Sequence, residues 1–432
     1  MKRAFLLLAT MLATPAAAQT VVITNAKVAI GDGSAPIDGG TVVFRDGRIV
    51  AAGRGVAAPA GAQVIDAQGK WVAPGFTAGF STLGLADAAG VNESNDSGSG
   101  KSPFASAIDI APAINPDNVL IVDERIGGVT RAIVSPSADG SIFAGQGAVI
   151  GLGGGIDTVI RPRAFQYVEM GEQGGQLAGG SRPAAYAMLR DAFQQAADYR
   201  RNPAAFDGRG RDALVKRGDA AALAEVLAGR VPLLVHVERA SDIRSVLSLK
   251  RDYPGIKLVL AGATEGWMVA QDIAAARVPV IAQALADLPA SFESVAATES
   301  NVGRMVAAGV TVGLSTIGAN DAPGEHVVRQ FAGNLVAITR VPGATGLDWG
   351  KALATITSAP AAALGMDGEI GSLRPGRRAD VVLWDGDPLE IGSAPVAIWI
   401  DGKPMPMRSR QTELRDRYMT PQEGALPKAY ER

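Results

Sequence analysis

Residues 233–243 read Leu-Leu-Val-His-Val-Glu-Arg-Ala-Ser-Asp-Ile, and this stretch sets the frame for the rest of the chain. Leu233–Val237 is a short apolar run of β-formers. It passes straight into a polar segment that can start a helix. Downstream, residues 257–262, 278–283 and 309–315 repeat the short apolar run at intervals of roughly 20–30 residues. Helical stripes lie between or before these runs. Asp219 can cap a helix carrying Leu223, Val226 and Leu227 on one face, and Tyr186, Leu189, Phe193 and Ala197 form a similar stripe. Strands alternating with helices predict a parallel sheet. Several such units in about 300 residues favour a closed barrel.

Outside this region the pattern changes. Val21-Val22-Ile23, Thr41-Val42-Val43-Phe44 and Arg48-Ile49-Val50 are strand-like, and Asp46-Gly47 between the last two predicts a hairpin. Near the other end, Val381-Val382-Leu383-Trp384 and Ala397-Ile398-Trp399-Ile400 are strand-like, with Asp401-Gly402 following. The reading is α/β: a (β/α)8 TIM-like barrel with a small β-sandwich domain built from both chain ends. The expected division is 1–18 signal peptide, 19–70 and 366–406 the two parts of the β-domain, 71–365 the barrel, and 407–432 a C-terminal tail.

Met1-Lys2-Arg3 precedes an apolar run to Ala13, and Ala16-Ala17-Ala18 fits a cleavage site. A run of about ten residues suits a signal peptide and is too short for a span of ~20. The expected location is periplasmic or secreted, with no membrane span after cleavage. Cleavage leaves 39 Lys+Arg against 43 Asp+Glu, a net charge of about −4. These charges are dispersed, which argues against a nucleic-acid partner. The chain has no cysteine, so disulfides, thiolate metal sites and cysteine nucleophiles are excluded. A mature chain of about 414 residues can bury its core without such staples. Trp71, Trp384 and Trp399 sit in strand contexts and are expected in the core or between domains. The glycine-rich stretch 151–155 lacks a phosphate-loop Lys-Ser/Thr and reads as a turn.

Five segments resemble the amidohydrolase superfamily, in particular its metal-dependent, imidazolonepropionase-like branch. They are residues 71–76 (WVAPGF), 113–136, 233–243, 357–364 (TSAPAAAL) and 371–384 (GSLRPGRRADVVLW). The resemblance implies hydrolysis of C–N bonds at one or two metal ions. It also implies the ligands: a His-x-His pair after barrel strand 1, a His after strand 5, a His after strand 6 and an Asp after strand 8. Some members add a carboxylated lysine after strand 4. Metal ions lower the pKa of a bound water and polarise a carbonyl, which requires these groups to converge.

Placed on that pattern, the chain departs from it. Phe80 and Thr82 fall where the histidine pair belongs, and Phe cannot ligate. Strand 5 keeps His236. Gly262, before Ala263-Thr264-Glu265-Gly266, falls at the strand 6 histidine, and Ile317 replaces the strand 8 aspartate. No lysine occurs between Lys101 and Lys216, so a bridging carboxylated lysine is not expected. The chain has only two histidines, His236 and His326, whereas the family pattern needs four. His236 is therefore the one expected metal ligand. A weak alternative cluster joins it to Glu238, Glu265 and His326. Ser81 and Ser315 lack a visible general base, which argues against a serine nucleophile.

Two functions follow. The first is a degenerate amidohydrolase with no cofactor that works as a non-catalytic or partner subunit. It would form a homo-oligomer or pair with an active amidohydrolase paralogue, and its apolar pocket mouth could take a small-molecule ligand. The second is a hydrolase of C–N bonds with a rearranged site and one weakly bound divalent metal such as zinc.

Overall fold

The computed structural model describes residues 20–87, 91–206, 213–318 and 324–419. The expected signal segment, and the tail beyond residue 419, lie outside them. Two eight-stranded sheets organise the chain.

The first sheet draws on both chain ends. Across it run Lys403–Pro404, Pro395–Ile400, Val381–Trp384, Trp71–Pro74, Thr20–Val28, Ile37–Arg45 and Arg48–Gly53, with Gln63–Asp66 pairing alongside Thr20–Val28. It has its own core, including Ile23, Val42, Phe44, Val72, Val381 and Trp399. The Asp46-Gly47 turn forms as the sequence suggests, with both residues at positive φ (52° and 73°), the geometry that matches strand twist. Asp401-Gly402 repeats it at 50° and 73°. The two turns lie against each other: a Cβ on Gly47 would stand 2.9 Å from the Asp401 carbonyl oxygen.

Trp71–Pro74 was expected to lead into barrel strand 1. It does so, but Trp71–Pro74 itself, placed in the barrel by the expected division, pairs with Val381–Trp384 and Thr20–Val28 in the terminal sheet. The barrel starts at Phe76, after Gly75, where a Cβ would lie 2.1 Å from the Thr130 methyl.

The second sheet is the barrel. Its strands, in order, are β1 (Phe76–Ser81), β2 (Val129–Val134), β3 (Phe143–Gly151), β4 (Val159–Glu169), β5 (Leu233–Val237), β6 (Leu258–Gly262), β7 (Val280–Ala282) and β8 (Val312–Leu314). Seven run parallel, and β3 runs antiparallel to β2 and β4. The connections flanking β3 are too short for a crossover helix, so hairpins replace βα units there. The glycine-rich stretch 151–155 is the β3–β4 turn, with Gly154 and Gly155 at positive φ. At the seam between β1 and β8, a Cβ on Gly79 would meet the Leu314 carbonyl oxygen at 2.3 Å.

Period-2 alternation sorts the strands' side chains. Phe165, Tyr167, Leu234, Val259, Ala261 and Ile281 fill the interior. Val235, Leu260, Val280 and Leu314 face the helical layer, where Leu189 and Phe193 of helix Arg182–Arg201 and Leu223 and Val226 of helix Arg217–Leu227 are buried. Asp219 is the third residue of that second helix. Its carboxylate reaches back to the Lys216 N–H at 3.3 Å and accepts N–H groups of Ala105 and Ala107 at 3.0 and 2.8 Å.

A buried ion cluster joins barrel to terminal sheet. Arg131 on β2 is 1% exposed and donates to both oxygens of Asp380 at 2.7 and 2.6 Å, and to Asp401 at 2.8 Å. Beside it, Trp384 is fully buried against Phe76, ring centroids 5.3 Å apart.

Candidate functional site

In barrels of this kind chemistry sits at the C-terminal ends of the strands. Here the centre of that face is built on β4 and β5. His236 and Glu169 are paired residues across the β4–β5 ladder. Alternation points Tyr167, Glu169, His236 and Glu238 to the same side. The His236 ring is held from both ends: Nδ1 lies 2.6 Å from Glu169 Oε1, and Nε2 lies 2.9 Å from Glu238 Oε1. Tyr167 donates its hydroxyl to the other Glu169 oxygen at 2.6 Å, and the Thr264 N–H donates to Glu238 at 2.7 Å.

Charge follows from that arrangement. Burial alone would lower the His236 pKa, but the Glu169 charge and hydrogen bond, joined by Glu238, hold it well above the ordinary histidine value. Burial would raise Glu238, yet its bonds to His236 and Thr264 keep it below the usual carboxylate range. Burial and the Glu169 charge push the Tyr167 hydroxyl well up. Each ring nitrogen of His236 thus faces a carboxylate within hydrogen-bond distance.

The remaining positions singled out in the sequence divide. Phe80, at the end of β1, packs edge-on against Tyr167 with centroids 5.4 Å apart. Ile317 packs on the same interior cluster as Phe80. Gly262 ends β6 at φ +83°, and a Cβ there would stand 2.3 Å from Glu238 Oε1, so the carboxylate takes the space that a side chain at 262 would need. Thr82 lies just past β1 and is exposed.

The proposed four-residue cluster does not form as such. Glu238 joins His236. Glu265 is buried and serves as an anchor, accepting N–H groups of Ala240 (3.0 Å) and Ala296 (3.1 Å). His326 sits on the turn Glu325–Val327 and faces helix Val119–Ile126, where Glu124 accepts its backbone N–H (2.6 Å) and lies 3.1 Å from Nδ1. Both residues were drawn in by nearness along strand ends, and each spends its polar groups on local backbone or a helix. Ser81 and Ser315 are buried, with their hydroxyls near backbone groups. Glu169 and Tyr167 were missed. The alternation of Phe165, Tyr167 and Glu169 was the available signal.

A loop crosses this face after β7. Glu293 accepts the Glu172 N–H at 2.7 Å and pairs with Arg182 at 3.2 Å, and Arg182 also meets Asp242 at 3.0 Å. These contacts tie the end of β7 to those of β4 and β5.

Comparison with known proteins assigns this architecture. An amidohydrolase family model matches residues 204–406. The amidohydrolase TasK of Hapsidospora irregularis is 26% identical over 380 residues, 80% of this chain. The chain spans 37% of that relative's length. A crystal structure of an amidohydrolase from Thermotoga maritima MSB8 superposes with a TM-score of 0.78 at 23% identity, covering 90% of this chain and all of that one. Residues 204–406 thus match the amidohydrolase family, and most of the chain is similar to an amidohydrolase in sequence and in fold. Molinate hydrolase shares the fold at a TM-score of 0.55 and 18% identity, over 95% of this chain and 98% of that one.

Amidohydrolase chemistry of the metal-dependent kind needs several ligands directed at one point. Here the two carboxylates nearest His236 lie at opposite ring nitrogens, whose lone-pair directions diverge. They do not converge with the imidazole on a common centre. Among the described residues, no group of three or more His, Asp or Glu is arranged to hold a metal ion.

Proposed function

We propose that this chain is a non-hydrolytic amidohydrolase, exported through its N-terminal segment, that works as a binding or partner subunit. One observation carries the reading: His236, the surviving ligand position, has both ring nitrogens engaged by Glu169 and Glu238. Of the other expected positions, Phe80, Gly262 and Ile317 supply no donor side chain, and Thr82 supplies only a hydroxyl. A metal-activated water requires several ligands that converge on one point, and the carboxylates at opposite nitrogens of His236 do not converge in this way.

A second reading keeps hydrolysis of a C–N bond at a rearranged site. It is favoured by the place of the Tyr167, Glu169, His236 and Glu238 chain, at the barrel end where this fold does its chemistry.

Elemental analysis of the purified protein separates the two. The proposal expects substoichiometric transition metal, unchanged in His236→Ala. Stoichiometric metal lost in that variant, or amide hydrolysis lost with it, overturns the proposal in favour of the second reading. The intact mass tests export, with cleavage after Ala18 expected. Light scattering and affinity capture from the native source test assembly, and recovery of a lone monomer counts against a partner role.

A further inference from the structure

We infer that a cavity beside β3, between loops 97–108 and 137–141, binds a small organic cation: an ammonium group carried on an apolar body about the size of a phenyl ring. The cavity has a volume of about 250 Å³. Phe104, Phe143, Met188 and Leu214 form its apolar wall, and Ser106 and Asp139 are among its polar groups. None of Glu169, His236 and Glu238 lines it. The inference therefore goes beyond the functional reading above and does not depend on it.

Ser106 is the decisive residue. It is 0% exposed, and its hydroxyl has no hydrogen-bond partner among the described residues. A buried unmatched hydroxyl costs about 1–3 kcal/mol. Its backbone neighbours are not free to relax, because the N–H groups of Ala105 and Ala107 are both held by Asp219. The segment thus keeps an unused polar group against a cavity.

Charge selects the ligand. Asp139 and Asp219 both line the cavity, and no lysine, arginine or histidine does so among the described residues. Asp219 is buried and receives backbone N–H groups only, from Ala105, Ala107 and Lys216. Asp139 lies over Gly100, where a Cβ would stand 2.5 Å from its carboxyl carbon, so the two loops close on each other at that point. Among the described lining residues, an anion would meet two carboxylates and no cationic side chain. An ammonium can donate to the Asp139 carboxylate and to Ser106 Oγ while its apolar body covers Phe104 and Phe143.

Isothermal titration calorimetry on the full chain at neutral pH tests this, with phenethylamine, 2-phenylethanol and phenylacetate as probes. Saturable binding of the amine is expected, with the alcohol at least about tenfold weaker and no binding of the acid. Ser106→Ala is expected to weaken the amine about tenfold while leaving Tm unchanged or higher, because it removes an unmatched buried hydroxyl. Asp139→Asn, at an exposed position, gives a second weakening without risk to folding. His236→Ala should bind the amine as the wild type does. No heat with the amine, equal affinity for the three probes, or an affinity unchanged in both cavity variants overturns the inference.

Discussion

Gly262 carries a constraint that its neighbours do not reveal. It sits at φ +83°, and the Glu238 carboxylate lies where its Cβ would be. Gly262→Ala is therefore expected to lose about 2–4 kcal/mol, through backbone strain and the collision together. Urea denaturation measures this. Gly262→His should be worse still, because a larger side chain meets the same carboxylate. A loss under about 0.5 kcal/mol would show that Glu238 moves aside freely.

Glu325 shows a second residue-scale effect. Burial, together with the nearby Glu124 charge, pushes its carboxyl up to about 8, despite the hydrogen bond from Thr316 at 3.0 Å. The folded value lies above the unfolded one, so the folded chain holds more protons between them. The stability from this group is full below the unfolded value near ~4.3 and declines as pH rises towards about 8. Glu325→Gln keeps an acceptor for Thr316 and removes the titration. The wild type should lose stability between mildly acidic and mildly alkaline pH, and the variant should lose less, by on the order of 1 kcal/mol once solvent screening is allowed for. Parallel pH profiles for the two proteins would contradict the assignment.

At the scale of elements, barrel closure depends on a glycine. Residue 79 on β1 approaches the Leu314 carbonyl of β8 so closely that any Cβ would overlap it. Gly79→Ala should force the seam apart and cost about 1–3 kcal/mol, with amide exchange accelerated in β1 and β8 first. Uniform exchange across the barrel would point to a global effect instead. The two Asp-Gly hairpins show how much local sequence can say: Asp46-Gly47 gave its turn correctly because the needed φ values are a property of two adjacent residues. The antiparallel β3 shows the opposite case. Its direction depends on connection length and on neighbours it meets only in the sheet, so strand-like composition alone left it indistinguishable from a parallel strand.

For the whole molecule, the joint between barrel and terminal sheet rests on Arg131, Asp380 and Asp401. Arg131→Met leaves two carboxylates facing an apolar side chain, one of them fully buried. A loss of about 3–5 kcal/mol is expected. Arg131→Met combined with Asp380→Leu should recover part of it, since the buried charge leaves with its partner. Chemical denaturation of the single and double variants checks this; a double variant less stable than the single would mean that the pair holds the joint by more than mutual compensation.

Sequence alone reached the barrel, the terminal β-domain and the helical stripes, because period and turn chemistry are local properties. It placed Glu265 and His326 beside His236 because strand ends converge in a barrel, and nothing local says which carboxylate a backbone N–H or a neighbouring helix has already engaged. The partner that holds His236 is Glu169, 67 residues earlier in the chain. Their meeting depends on the β4–β5 register. The unmatched hydroxyl of Ser106 likewise exists only once two loops and a helix have closed around it. Such features belong to pairs of distant residues, and only folding brings those pairs into contact.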